Sequence, residues 1–362
     1  MMQSSLWEQH MRGGAEAMTL QGWRVVRSHA DIATECRAVR EGAGVIDLSH
    51  LGRTWLRGTD AQDYLHRQLS RSIRPLAVGE GCHAVHMNAM GQMIGELTLH
   101  RTDEQEFLAL TMPVCTESLA STLERFIFGE DCTVEREAES TGLLSIHGPR
   151  ACELLERTLG DSTADLPLHG SRRCRFRSAD VLVLATALTG VTGRHLMVDV
   201  ASLSALWEDL LNAKAMPFGW AALDTLRIEA GIPLFGVDHD SGWIPTDAGL
   251  EATLDFEKGC FPGQEVVAKI RNIGHPRWVL RGFVLSATEC PPRGTPLLLS
   301  GQRVGSLSSV GHSPPLGRVI ALGHLRWKFR DSDGPLQLGE EGEMGEARVA
   351  NLPFLSAEEP GD

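Results

Sequence analysis

The order strand, helix, strand, strand occurs twice before residue 220, and nothing else in this chain restricts its fold as strongly. In the first occurrence, "RTWLRG" (53–58) alternates as a strand. Asp60 then stands where it can cap a helix carrying Tyr64, Leu65 and Leu69 on one face. "GQMIGELTLHR" and "EFLALTMP" read as paired strands, and Leu119, Leu123, Phe126 and Ile127 form a helical stripe. In the second occurrence, "GLLSIHG" is a strand and Pro149 suits the first turn of a helix bearing Leu154, Leu155 and Leu159. "DVLVLATAL" and "HLMVDV" follow as strands, then "LSALWEDLL" as a helix. Strands and helices do not alternate singly here, as a doubly wound parallel sheet requires, so the pattern predicts two related α+β lobes. Beyond Arg277 the texture changes to short strands between Gly/Pro turns, such as "VLRGFVLS", "TPLLLS" and "RVIALGHLRW". The expected organisation is an α+β domain over 1–276, with lobes at 21–140 and 141–276, and a C-terminal β-barrel over 277–362. Residues 1–20, broken by Gly13-Gly14, read as a mobile arm.

Charge and composition narrow the function. A formal net charge of −13 repels phosphate backbones, so neither nucleic acid nor an anionic lipid surface is an expected partner. No run of about 18 apolar residues is present to cross a bilayer, and the N-terminus has two early acids and no apolar core. The expected location is the cytoplasm, with no membrane contact. Eight cysteines are scattered without a Cys-x-x-Cys or zinc-type spacing, so no metal site is expected.

Of these cysteines, only Cys260 has surroundings that ask for more than packing. In "FEKGCFPGQEVVAKI" it lies between Gly259 and Gly263, with Lys258 before it and Arg271 and Arg277 nearby to favour a thiolate; Glu257 and Glu265 oppose that. It reads as a reactive thiol or as a small residue in a tight turn. Arg227 stands three residues from Asp224 on the helix "AALDTLRIEAG", where it pairs with that aspartate or forks onto a ligand carboxylate. Asn88 and Glu96 flank a glycine-containing hairpin, Asn88 as a turn former and Glu96 as an acid facing water or a ligand. Neither that hairpin nor "TGVTGRHL" is a phosphate loop. Lys258, Lys269, Arg271, Arg277 and Arg281 form a basic patch, either a solvated face or a recess for an anionic ligand.

Three segments carry a resemblance: "GAGVIDLSHLGRTWLRGTDAQDYLHRQL", "LDTLRIEAGIPLFGVDHDSGWIPTDAGL" and "KGCFPGQEVVAKI". Their order resembles the tetrahydrofolate-binding T-protein superfamily, which includes the aminomethyltransferase of the glycine cleavage system. The Lys-Gly-Cys-aromatic-x-Gly-Gln-Glu run is similar to the signature of its YgfZ branch, folate-binding proteins linked to iron–sulfur cluster maintenance and tRNA modification. The resemblance implies two α+β lobes around a central folate cavity, a C-terminal β-barrel, and tetrahydrofolate or another reduced folate as cofactor. It implies Cys260 and Lys258 as the reactive pair at the cavity mouth. The loop of Gly259, Phe261, Gly263, Gln264 and Glu265 would hold them, the last two through hydrogen bonds. Arg227, Asn88 and Glu96 would be the folate-binding residues. Gly95 and Glu96 stand where transferase relatives carry adjacent aspartates. Val191 and Arg194 stand where those relatives carry a tyrosine and a pterin-gripping glutamate. The expected function is an accessory role in iron–sulfur cluster assembly or repair, with iron–sulfur client proteins as partners; enzyme activity is left open, with the balance against it. The alternatives are a tetrahydrofolate-dependent aminomethyl or methyl transferase, with Glu96 as base or charge stabiliser, and a non-catalytic folate-binding module.

Overall fold

The computed structural model describes residues 1–137, 140–332 and 334–355. The duplicated order is real and longer than the sequence pattern indicated. Gly52–Arg57, helix Ala61–Gln68, three strands, helix Pro113–Arg125 and strand Thr133–Glu137 make the first unit. Thr141–His147, helix Ala151–Leu159, three strands, helix Val200–Asn212 and the short strand Met216–Pro217 make the second.

The sheets repeat the same topology. In the first, the strands run Gly81–Met87, Met93–Asp103, Glu106–Thr111, Gly52–Arg57, Thr133–Glu137. In the second they run Ser171–Phe176, Ala179–Thr186, Gly193–Asp199, Thr141–His147, then Gly44–Asp47 and Met216–Pro217. Gly44–Asp47 precedes the first unit in sequence yet pairs with Thr141–His147 of the second, which knits the two halves together.

Period-two alternation decides what each sheet face meets. Leu56, Ala84, Leu97, Leu99, Phe107 and Ala109 turn outward onto Tyr64, Leu65, Leu119 and Leu123 of the first unit's helices. Trp55, Val85, Leu108 and Leu110 turn inward. In the second sheet Leu144, Ile146, Val181, Val183, Leu196 and Val198 meet the helices, whereas Leu143, Leu182, Leu184 and Met197 face the shared interior. Two sheets, each covered on one side only, therefore enclose a common central layer.

Helix Trp220–Glu229 crosses that layer, buried along nearly its whole length. Its Ile228 meets Ile320 and Leu322 of a closed six-stranded barrel built from residues 278–350. Gly282 and Phe283 of the strand Trp278–Leu285 pair with Ala350 and Val349, which closes the cylinder and removes its free edges. The α+β fold with a terminal barrel expected from sequence is the observed one. The N-terminal segment differs from the expected mobile arm: helix Trp7–Arg12 and the hairpin Glu16–Leu20/Trp23–Ser28 are ordered, with Leu6, Trp7 and His10 buried.

Candidate active site

A cleft of about 560 Å³, counting its mouth, opens between the two sheets. Its apolar wall includes Leu51, Leu110, Met112, Leu188, Leu234 and Phe235; its polar groups are Glu96, His83, His195 and the threonines 98, 111 and 186.

Glu96 is the charged centre of this cleft. It lies on strand Met93–Asp103, where alternation sends Gly95 the other way; a Cβ at Gly95 would sit 3.2 Å from the Leu119 Cβ of helix Pro113–Arg125. A side chain at position 95 would thus enter the helix layer, and only Glu96 of that pair faces the interior. His83 Nε2 donates to its Oε1 at 2.7 Å, and His239 Nε2 donates to its Oε2 at 2.6 Å. Burial alone would raise the carboxyl pKa. The two imidazole donors outweigh it and hold Glu96 at about 2, so the group is an anion throughout the neutral range. His239 Nδ1 is buried with no partner, which favours keeping the His239 proton on Nε2, aimed at Glu96.

The other sequence-predicted residues divide sharply. Asn88 is a turn residue: its Oδ1 accepts from the Met90 and Gln92 amides, and its backbone closes the hairpin with Gln92. It does not line the cleft. Arg227 is fully buried and spends every N–H within the protein. Nε donates to Asp224, Nη1 to the Ile232 carbonyl and Asp238, and Nη2 to Ser309, with Asp224 within 2.6 Å of Nη2. The expectation that Arg227 holds a ligand gives way to a structural role, because no donor remains free.

The cysteine motif also changes meaning. Lys258 places its ammonium on the carbonyls of His66 and Leu69 at the end of helix Ala61–Gln68. The His66 ring answers by bonding the Lys258 carbonyl at 3.1 Å. Burial pushes the Lys258 pKa down to about 8. This lysine caps a helix C-terminus, a position whose unpaired carbonyls attract a cation.

Gly263 has φ 80° and opens helix Gln264–Ile273; a Cβ there would meet the Asn88 carbonyl and Gly91 at 2.7 Å. Gly259 also has positive φ, 96°. Phe261 is buried in the central core, with the Lys258 ammonium 5.0 Å from its ring centre. Gln264 and Glu265, expected as loop-fixing partners, start that helix and make no side-chain hydrogen bond to any described residue. Cys260 is exposed, and neither it nor Lys258 lines the cleft. Of the basic patch, Arg271 and Arg277 lie over Phe256 and Trp278 rather than around the cleft. Lys258→Met should therefore lower stability by about 1–3 kcal/mol through the two abandoned carbonyls. The rate of Cys260 with a disulfide reagent should change by less than about twofold. A tenfold fall in that rate would instead tie the lysine to the thiol.

Val191 and Arg194 both lie outside the cleft. Arg194 turns out of the cleft, donating from Nε and Nη2 to the Thr163 carbonyl and from Nη1 to its own neighbour Gly193. Its strand neighbour His195 is the one that faces the cleft, as does Leu188 on the preceding hairpin. Neither Val191 nor Arg194 lines it.

His83, His195 and His239 were not anticipated. Only His83 had a local signal, since it alternates in register with Val85, the partner of Glu96. Burial pushes His147, His195 and His100 down to about 3, and His29, His50, His169 and His324 down to about 4. The unfolded chain takes up these protons near pH 6.5 while the folded chain refuses them. Their contribution is therefore intact above about pH 6.5 and falls as pH drops toward 4. Unfolding at pH 5.5 should take up several protons, and calorimetric midpoints should drop steeply below pH 6.5. A flat profile down to pH 4.5 would show that these rings are hydrated.

Comparison with known proteins is consistent with this geometry. A family model described as the GCVT N-terminal domain matches residues 6–258, and one described as the glycine cleavage T-protein C-terminal barrel domain matches 279–355. An aminomethyltransferase of Rubrobacter xylanophilus is 30% identical over 350 residues, covering 96% of this chain and 93% of that protein. One of Prochlorococcus marinus is 29% identical over 353 residues, covering 94% of each. The crystal structure of the glycine cleavage system aminomethyltransferase T from Bartonella henselae superposes with a TM-score of 0.90 over 98% of both chains, at 24% identity. These relatives overturn the expected accessory role in iron–sulfur assembly and give no support to the balance against enzyme activity. The cysteine signature that pointed there is a helix cap and an exposed turn.

Proposed function

Because this chain belongs to the glycine cleavage T-protein family, we propose that it is a cytoplasmic, tetrahydrofolate-dependent aminomethyltransferase whose charged catalytic group is Glu96. The observation that carries this reading is the ionised Glu96 carboxylate, held by His83 and His239 in the cleft between the two sheets.

The cleft suits a reduced folate. Leu110, Leu188, Leu234 and Phe235 offer an apolar wall for a flat ring, while His83, His195 and three threonines offer hydrogen-bonding groups at its edges. Bound there, a reduced folate would supply the nitrogen that accepts the one-carbon unit.

Glu96 contributes a fixed negative charge. An aminomethyl carbon leaving its donor develops iminium-like positive charge, and a preorganised anion in a poorly hydrated cleft stabilises it. A carboxyl with a pKa of about 2 is a weak base, so charge stabilisation is its role rather than proton abstraction. His83 and His239 keep the carboxylate from rotating. His239, with its side chain fully buried, is the more rigid of the two.

The test incubates the purified protein with tetrahydrofolate and a 13C-labelled aminomethyl thiol, following the label by NMR. Transfer of the labelled carbon to the folate as a methylene bridge, with release of ammonia and of the free thiol, is the expected result. Folate binding without any transfer would leave only a binding module and end the transferase reading.

A further inference from the structure

We propose that His195 is a ligand-contacting residue of the cleft, donating a hydrogen bond from Nε2. The direction of that bond is set by a neutral chain running Thr189–His147–Ser145–His195.

The chain follows from strand register. Ser145 and His195 are directly opposed across the antiparallel pair Thr141–His147/Gly193–Asp199, and His147 is opposed to Gly193. A Cβ at position 193 would sit 2.4 Å from His147 Nδ1, so this glycine leaves the space that the ring occupies. Ser145 Oγ is 2.7 Å from His147 Nε2 and 2.8 Å from His195 Nδ1. Thr189 Oγ1 is 3.0 Å from His147 Nδ1. All four residues are at least 95% buried. Both rings are held neutral by burial.

Hydrogen counting and hydrogen-bond distance together select one polarity. If His147 donated to Thr189, the threonine hydroxyl proton would have no acceptor among the described residues. Stranding a buried donor forfeits its hydration with nothing in return. The opposite polarity uses every proton. Thr189 donates to His147 Nδ1 and His147 Nε2–H to Ser145, whose hydroxyl then has two acceptors within reach, His195 Nδ1 at 2.8 Å and the Arg194 carbonyl at 3.4 Å, and takes the nearer. The proton of His195 is then on Nε2. That atom has no partner among the described residues, is not sealed from the open space, and belongs to a ring that lines the cleft. Such a donor fits a neutral acceptor on a flat heterocycle: a lactam oxygen or an unprotonated ring nitrogen.

This inference rests on the folate reading for its ligand but not for its chain, and the experiment separates the two. Binding of 5-formyltetrahydrofolate is titrated for the unmodified protein and for His195→Gln, His195→Asn and Thr189→Val. The 15N ring resonances of His195 are recorded without ligand. Gln places an amide N–H near the Nε2 position, whereas Asn reaches only the Nδ1 position. The expected results are the Nε2–H tautomer in the unmodified protein and a mixture of tautomers in Thr189→Val. Affinity should stay within about threefold for His195→Gln and fall about 30-fold or more for His195→Asn. An Nδ1–H tautomer, or Asn binding as well as Gln, would overturn the proposal by reducing His195 to a prop for Ser145. If the unmodified protein binds no folate, the transferase reading fails. The tautomer then decides the chain: Nε2–H supports it and Nδ1–H refutes it.

Discussion

Glu96→Gln is expected to lower kcat for one-carbon transfer by about 10²–10³-fold while changing the KM for tetrahydrofolate less than about threefold. The substitution removes the charge and preserves the shape. One of the two imidazoles must switch tautomer to accept from the new amide. His83 is the one able to do so, because its side chain is 33% exposed and a displaced proton can reach water. The His239 ring has a side-chain exposure of 0%, so it keeps its proton on Nε2. The fold should therefore survive, and calorimetry of the variant would confirm it. Because Glu96 is ionised far below neutrality, no limb of the pH–rate profile above about pH 4 should belong to it. A variant that raises KM alone, with kcat intact, would make Glu96 a binding group and remove its catalytic role.

Arg227→Met should be the most destabilising of these substitutions, by about 3–5 kcal/mol, because it leaves Asp238 charged and unpaired in the interior. Burial would raise the Asp238 carboxyl. Arg227 outweighs that, with help from the Ser308 and Ser309 hydroxyls, and holds it below its ordinary value. These residues join three parts of the molecule: the central helix, the turn after it, and barrel strand Gln302–Ser313. Losing the arginine should therefore loosen the barrel from the α+β body, read as a lower thermal midpoint and earlier proteolysis at the 274–278 junction. Adding Asp238→Asn should recover part of the loss, since a neutral amide needs no counter-charge. Equal stability of Arg227→Met and the parent would show that the arginine was free for a ligand after all.

Much of the architecture was readable because its signals are local. Alternation in "RTWLRG" and "DVLVLATAL" marks strands whatever lies across from them, and the recurring element order announced two similar sheets. The turn role of Asn88 was also visible, because an Asx turn closes within four residues. The cysteine motif misled for the complementary reason. Lys258 is two residues from Cys260 in sequence, but the groups its ammonium satisfies lie 189 and 192 residues away. Proximity in sequence is not electrostatic contact. Arg194 shows the same limit: adjacent strand residues point to opposite faces, so a one-residue difference separates the cleft from the other side of the sheet.

Strand and helix periods, the lobe-like repetition and the barrel at the end are properties of short windows of chain, and the amino-acid order was enough to specify them. The site belongs to another level. Glu96 meets His239 across 143 residues, and Ser145 meets His195 across 50. Those meetings depend on how two sheets and a buried helix pack, because a side chain's partner is settled by which faces close on each other, and no local pattern encodes that closure.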